Sequence, residues 1–517
     1  MHSPARLCSP LLLSPLFLCS LLFLLPPLLF PPPAAGQATI GGEWRGDVAR
    51  FAQRAVDLGL TPGVGIAVTQ DDWVLWSAGF GVADASSGRE VDEATQFYIA
   101  SSSKALTGTA VVLRAARGEI DLRSPVARYV PGLRFSATMP EEQLTVERFL
   151  TMTEGLVDGG PVVIRTAFTG EFTTALLIEL LAGYGLDPDG TGFDYGNLPY
   201  NVLGLALDPT SEEGWKDAVA AEVLDPLEMS ETSARLSTLD PDRIAMPHSV
   251  VPGRGYVRIP LAKADANLHA AGGHFTTPRD LARFVAAHAS EGRLEGRRIF
   301  PADAIASTHA KHADQDRTFG PYRRFGWGYG WDLGTWEGKT IVHRFGGFSG
   351  YRSHMSFEPE SRIGVVVLVN GDGPASPASD LIASYVYDRL LGRADLEPEY
   401  ERRLAELEKE AADEELDAAD HLAERARRLA PLAHPLAAYA GTYESPTLGT
   451  MTWRVVGGGL EVHMGVASSR AEVFDAARDA LRIELTGGGM TAGFEFPEDG
   501  GHATAVVVAG ERFERVD

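Results

Sequence analysis

The sequence predicts an α+β protein, with a large domain of helices and sheet followed by a small antiparallel β domain. Three observations carry this. Thr61 to Asp84 (TPGVGIAVTQDDWVLWSAGFGVAD) reads as a hairpin, with Val64, Ile66 and Val68 alternating in its first arm and Asp71-Asp72 at the turn. Val365 to Val369 is a near-continuous apolar run, as in a strand buried on both faces. Beyond Pro435, short alternating segments are separated by Gly-rich turns. At 517 residues the chain is longer than one core usually serves, and 44% hydrophobic residues with 56 Gly and 32 Pro fit a globular protein rather than disorder.

The first element in order is an export signal. Arg6 supplies a positive start, Pro10 to Phe30 an apolar run, and Ala34-Ala35-Gly36 a small-residue exit before Gln37. Removal of residues 1–36 is expected, leaving a periplasmic or extracellular protein. The run is also long enough to span a bilayer, so a membrane is a partner only if the segment is retained. Both cysteines, Cys8 and Cys19, lie inside it, so the mature chain has no thiol for a disulfide, a nucleophile or a metal site. With 46 Lys+Arg against 70 Asp+Glu the net charge is −24, which argues against a nucleic-acid partner.

Asp47 to Leu58 looks helical, the hairpin follows, and then comes FYIASSSKALTG, Phe97 to Gly108. It places Ser101 and Lys104 at Ser-x-x-Lys spacing, one helical turn apart and within hydrogen-bonding reach if a helix starts near Ser101. A serine hydroxyl needs a base to take its proton, and a lysine serves only if burial or a nearby cation lowers its pKa. The backbone N–H groups at such a helix start suit an oxyanion.

Pro62-Gly63, Gly79-Phe80-Gly81 and Thr95-Gln96-Phe97 leading into Ser101-Ser102-Ser103-Lys104 resemble the start of the serine beta-lactamase-like family, which holds class C beta-lactamases, D-alanyl-D-alanine carboxypeptidases, D-aminopeptidases and esterases. Gly118 to Pro131 and Leu144 to Leu156 continue the resemblance, with Met152 and Glu154 where many relatives have His and Ser; both are expected to be packing positions. Tyr195-Gly196-Asn197 resembles the family's Tyr-x-Asn motif. A phenol near a lysine ammonium can be held partly ionised and can shuttle a proton, while Asn197 can hold a substrate amide. Ala221 to Thr232 matches a scaffold segment with Glu228 in place of a glycine, and in Ala270 to Phe284 Thr276 or Thr277 can cap a helix with Pro278 in its first turn.

The third element is Ile341 to Gly373. Counting back from Gly350-Tyr351, the family's cation position on the strand lining the active site falls on Arg344, giving Arg344-Phe345-Gly346, with His343 as the alternative because alternation lets only one of the two point inward. Arg344 inward would offer a fork to a substrate carboxylate, whereas His343 would titrate near neutrality. The resemblance places the oxyanion hole on the backbone N–H groups of Ser101 and Gly347, with Gly346 beside them. Ser349 imitates a Gly-x-Ser-x-Gly elbow but has Tyr351 where the last glycine belongs. His309, His312, Asp314 and Asp316 read as a solvated loop rather than a metal site, and Asp187 to Gly190 lacks the rest of a calcium loop.

Glu397 to Leu429 is dense in charge, Ala and Leu, a helical connector ended by Pro431. The expected domains are thus 1–36 signal, 37–395 beta-lactamase/transpeptidase-like with an antiparallel sheet flanked by helices, 396–431 charged helical linker, and 432–517 a β domain resembling the lipocalin-like module of some relatives. The resemblance implies a secreted serine hydrolase that cleaves an amide or ester bond, foremost in small D-residue peptides or esters, working through a Ser101 acyl-enzyme with Lys104 and Tyr195 sharing the base role and no cofactor. A class C-like beta-lactamase and a non-catalytic penicillin-binding or sensor module on the same fold are the alternatives. The expected partner is a small-molecule or short-peptide substrate, and the sequence does not fix an oligomeric state.

Overall fold

The Thr61–Asp84 segment forms two strands, Gly63–Gln70 and Trp73–Asp84, with Asp71 in the left-handed region (φ 51°) at the turn between them. The computed structural model describes residues 42–136, 140–156, 160–185, 192–211, 213–428, 431–486, 488–498 and 500–517. The expected export signal, both cysteines and Asp187–Gly190 lie outside the described residues. Among the described residues no helix is long and apolar enough to cross a membrane.

The hairpin joins an antiparallel sheet of nine described strands. Their order is Ala313–Phe319, Tyr322–Trp327, Asp332–Trp336, Lys339–Phe348, Tyr351–Glu358, Ile363–Val369, Gly63–Gln70, Trp73–Asp84 and Arg89–Glu90. Ile363–Val369 is central and every residue in it is buried, because helices cover both faces. Pro278–Ala289 packs on one face, and Glu43–Asp57 with Ala375–Leu390 on the other. Pro278–Ala289 begins where the Thr277 side chain accepts from the Asp280 N–H at 3.2 Å, with Pro278 in the first turn. Glu228 takes a positive φ of 54°, the left-handed conformation that favours glycine.

One detail of register positions the site. The Asp332–Trp336 strand pairs with Lys339–Phe348 only as far as Asp332↔His343. From Arg344 onward that edge is free and faces a cavity.

Leu396–Ala426 is one long helix with Leu396, Tyr400 and Leu404 buried at four-residue spacing, and with Arg402–Glu406 and Arg403–Glu399 as i, i+4 ion pairs along the rest. The Tyr400 ring packs edge-on against Phe51 and Tyr385. After it, nine described strands form a nearly closed antiparallel barrel-like sheet filled by Tyr443, Met451, Trp453, Val462 and Phe513. Two contacts tie the barrel to the 165–171 segment. Arg165 donates to the Thr447 carbonyl at 2.5 Å, and the Val466 N–H donates to the Thr169 carbonyl at 2.8 Å.

The structure corrects the reading of His309 as part of a solvated loop. It ends a short helix, lies against Trp331 and Phe357, and bonds the buried His288 at 2.6 Å between ring nitrogens. Burial of the ring holds His309 near a pKa of about 3, so it is a neutral, half-buried histidine packed against the core. No group of three or more His, Cys, Asp or Glu residues able to hold a metal occurs among the described residues.

Candidate active site

Ser101 sits in a single 3-10 turn, Ala100–Ser102, that feeds the helix Ser103–Ala116. Ala100 has a φ of 45°, unusual for a residue with a Cβ, so the backbone is bent sharply just before Ser101. The helix is held close to the sheet by small residues: a Cβ on Gly108 would meet the Tyr329 carbonyl at 2.6 Å, and one on Gly346 would meet the Ile99 carbonyl at 2.0 Å.

One turn beyond Ser101, Lys104 is fully buried, its Nζ 3.2 Å from the Ser101 Oγ. The same ammonium donates to Asn197 Oδ1 at 2.6 Å and to the Ala271 carbonyl at 3.0 Å, and it lies 5.0 Å from the centre of the Tyr195 ring. Tyr195 and Asn197 come from the loop just before the helix Leu198–Leu207. Ser101, Lys104, Tyr195, Asn197 and Arg344 therefore converge. Gly347 lines the same cavity, and Gly346 packs behind it against Ile99.

Arg344 turns toward Ser101, while His343 turns to the opposite face, stacked on Tyr322 with ring centres 5.0 Å apart. Burial drives His343 well below its usual range, so it is neutral. All three nitrogens of Arg344 already have protein acceptors: Nε gives to the Ser101 carbonyl at 3.1 Å, Nη1 to Asp332 Oδ2 at 2.7 Å, and Nη2 to the Tyr195 hydroxyl. One N–H on each fork nitrogen is thus spent within the protein, so the bidentate fork that the sequence offers to a substrate is partly committed.

Electrostatics follow from this packing. Burial and the Arg344 charge lower Lys104 to about 8, although Tyr195 and Asp332 pull the other way. Burial alone would raise the Tyr195 phenol, but the Arg344 and Lys104 cations outweigh it and bring the phenol down to about 8 as well. Asp332, wholly buried, resists burial because Arg344 and Arg324 hold it ionised below its usual range. The arrangement can carry a proton between a hydroxyl, an amine and a phenol within one hydrogen-bonding radius.

Sequence reasoning missed Asp332 and three further arginines, Arg317, Arg324 and Arg352, that line the cavity with Arg344. The only signal was the density of Arg around Arg317–Arg324 and directly after Tyr351, and it becomes a cluster only through sheet register.

A helix-and-sheet domain with Ser-x-x-Lys and Tyr-x-Asn side chains meeting at a free strand edge defines the class, and the comparisons agree. The Beta-lactamase family model matches residues 48–386, so the chain belongs to that family. It is similar to "Penicillin-binding protein 4" of Amycolatopsis lactamdurans, 26% identical over 325 residues covering 62% of this chain and 84% of the relative. Among further curated relatives the chain spans 60% of their length. In fold it is similar to the octameric penicillin-binding protein homologue from Pyrococcus abyssi, with a TM-score of 0.57, 20% identity and coverage of 91% of this chain and 99% of that one. It also resembles the D-amino acid amidase from Ochrobactrum anthropi SV3, solved with L-phenylalanine amide, with a TM-score of 0.56, 19% identity and coverage of 67% and 99%.

Proposed function

We propose that the protein is an exported serine hydrolase that cleaves an amide or ester bond in small substrates, D-residue peptides and simple esters foremost, through an acyl-enzyme on Ser101. The observation that carries this reading is the convergence on Ser101 Oγ of two groups that can both take its proton near neutrality, Lys104 and Tyr195. In acylation the Oγ–carbonyl carbon bond forms as the Oγ proton passes to the Tyr195–Lys104 pair. The carbonyl oxygen gathers negative charge against the N–H groups of Ser101 and Gly347. As the bond to the leaving oxygen or nitrogen breaks, the pair returns the proton to it. Water then attacks the ester at Ser101 with the same pair as base, releasing the acid and restoring the hydroxyl. Asn197 keeps Lys104 in place through its oxygen and has its amide N–H groups for the substrate.

The reading is supported by the family to which the chain belongs and, for the substrate, by a neighbour in fold that is a D-amino acid amidase. The test is turnover of 4-nitrophenyl acetate and of D-amino acid amides, with the lifetime of a penicillin adduct followed by intact mass. Steady turnover with a lasting penicillin adduct is expected of a peptidase- or esterase-like site. Rapid release of penicillin would move the protein to the beta-lactamases, and no turnover of any of these would leave only a binding module.

A further inference from the structure

The helix that follows the Tyr195–Asn197 loop carries a second asparagine one turn on, and it reaches Lys104 from behind. Asn201 is only 5% exposed, on a helix, Leu198–Leu207, whose other side chains are apolar or aromatic and buried. An amide in such a place is costly unless its donors and its acceptor are matched. Its Oδ1 accepts the Ala271 N–H at 3.3 Å and His269 Nδ1 at 3.0 Å, and its Nδ2 donates to Thr166 Oγ1 at 3.0 Å.

The neighbours fix which way the amide points. A backbone N–H can only donate, and the Thr166 hydroxyl spends its own proton on the Val162 carbonyl at 2.8 Å, so the amide oxygen belongs toward Ala271 and the NH2 toward Thr166. His269 must then donate through Nδ1. Burial and the Lys263 and Lys104 cations hold that imidazole well below its usual range, so it is neutral.

Ala271 is the link to the base. Its carbonyl accepts from Lys104 Nζ at 3.0 Å while its N–H is held by Asn201. The turn around it is clamped to the helix of Lys104, with Thr107 Oγ1 donating to the Ala270 carbonyl at 2.7 Å and the His274 N–H donating to Ser103 Oγ at 3.2 Å. Asn197 and Asn201 thus hold the ammonium from two sides, one by direct contact and the other through a single backbone residue.

We infer that Asn201 is a positioning residue for Lys104, which by fixing Ala271 keeps a carbonyl acceptor on the ammonium. The inference rests on the hydrolase reading for the role of Lys104 and adds to it a residue that tunes the base without being part of the proton path. Among the described residues, the ionisable groups facing Lys104 are Tyr195 from its loop, Arg344 and Asp332 from the sheet, and the neutral His269 from the turn. None of these is altered by a change at Asn201 that only removes its acceptor.

The experiment is the pH profile of kcat/KM for 4-nitrophenyl acetate on the full chain, together with a 13C NMR titration of protein labelled at lysine Cε. The chain has six lysines, and Lys104→Met assigns the Lys104 signal. In Asn201→Leu the Ala271 carbonyl is released and the ammonium loses a charge-assisted hydrogen bond, so the rising limb and the Lys104 signal are both expected to move to lower pH by about one unit. Asn201→Asp still accepts from both N–H groups and is expected to leave them at or above the wild-type values. A limb and a signal that stay in place in Asn201→Leu, with activity lowered equally at every pH, overturn the inference, because a merely structural residue would do the same. If Asn201→Leu does not fold, Thr166→Val, which removes the acceptor that orients the amide, takes its place with the same direction of shift expected, and no shift overturns the inference. If the wild type turns over no ester, the hydrolase reading falls and the NMR titration decides by itself: a Lys104 signal that titrates lower in Asn201→Leu keeps the role of Asn201, and an unmoved signal removes it as well.

Discussion

Arg344 donates to the Tyr195 phenolic oxygen through Nη2 while its Nη1 is fixed on the buried Asp332. The phenol thus faces a cation that cannot swing away, since moving it would strip Asp332 of its partner. In the proposed mechanism this gives Arg344 the part of a positioning residue for proton transfer. It also explains why Tyr195 and Lys104 share a pKa of about 8 despite burial acting on them in opposite directions.

The first prediction concerns pH. Catalysis needs the Tyr195–Lys104 pair to have lost a proton, so kcat/KM for an uncharged ester should rise with pH and level off above about 8. Arg344→Met removes a positive charge. That raises the phenol's pKa, because phenolate loses a stabilising neighbour, and raises the amine's, because repulsion of the ammonium is relieved. Both shifts move the rising limb to higher pH. A profile that stays in place would show that Arg344 does not set the base.

Lys104→Met should lower the rate of Ser101 acylation by roughly 10²–10⁴-fold, the range for losing a positioned general base. Stopped-flow release of 4-nitrophenol measures it. Because Asn197 Oδ1 loses its 2.6 Å donor in the same variant, KM for amides should also rise.

Glu154 supplies a test of stability. It is buried, its Oε2 has no partner among the described residues, and burial pushes its carboxyl up to about 8. The folded state therefore prefers the protonated form. Its contribution is complete below the unfolded carboxyl's pKa and is lost as pH rises from there toward the folded value. Glu154→Gln should match the wild type near pH 4 and become more stable than it as pH rises, by roughly 1.4 kcal/mol per unit until about pH 8. Denaturant midpoints for the pair across that interval give the answer, and a constant difference would contradict a buried neutral acid.

Arg165 links the barrel to the helical segment whose Phe168 ring lies 5.6 Å from Phe348, at the end of the Lys339–Phe348 strand. Its Nη1 also donates to the Glu171 carbonyl at 2.6 Å. Arg165→Ala removes two charge-assisted hydrogen bonds, each worth about 1.5–3 kcal/mol. Amide exchange across 165–171 should accelerate at least tenfold, while exchange in Ile363–Val369 stays slow.

Much of this could be read from the chain because short-range rules set it. The hairpin turn at Asp71, the buried run Val365–Val369 and the Thr277 cap depend on a few neighbouring residues. Ser101 and Lys104 meet because one helical turn fixes their distance. What was not legible depends on register. Arg352 stands opposite Gly347, and Asp332 opposite His343, only once three strands have paired, so neither the partly committed fork of Arg344 nor the arginines lining the cavity could be seen from spacing. His309 was misplaced for the same reason, because polar neighbours in sequence say nothing of Trp331 and Phe357 closing over it. The sequence reads Glu154 as a packing position, and its burial agrees with that, but the unpaired carboxyl oxygen is a tertiary feature.

The most direct test of the central claim is intact-mass analysis of the purified protein after incubation with a fluorophosphonate, beside a Ser101→Ala control. The account predicts one phosphonyl adduct per chain, mapped by peptide sequencing to Ser101, formed faster as pH rises toward about 8 and absent from the control. An unlabelled wild type, or equal labelling of Ser101→Ala, would contradict it.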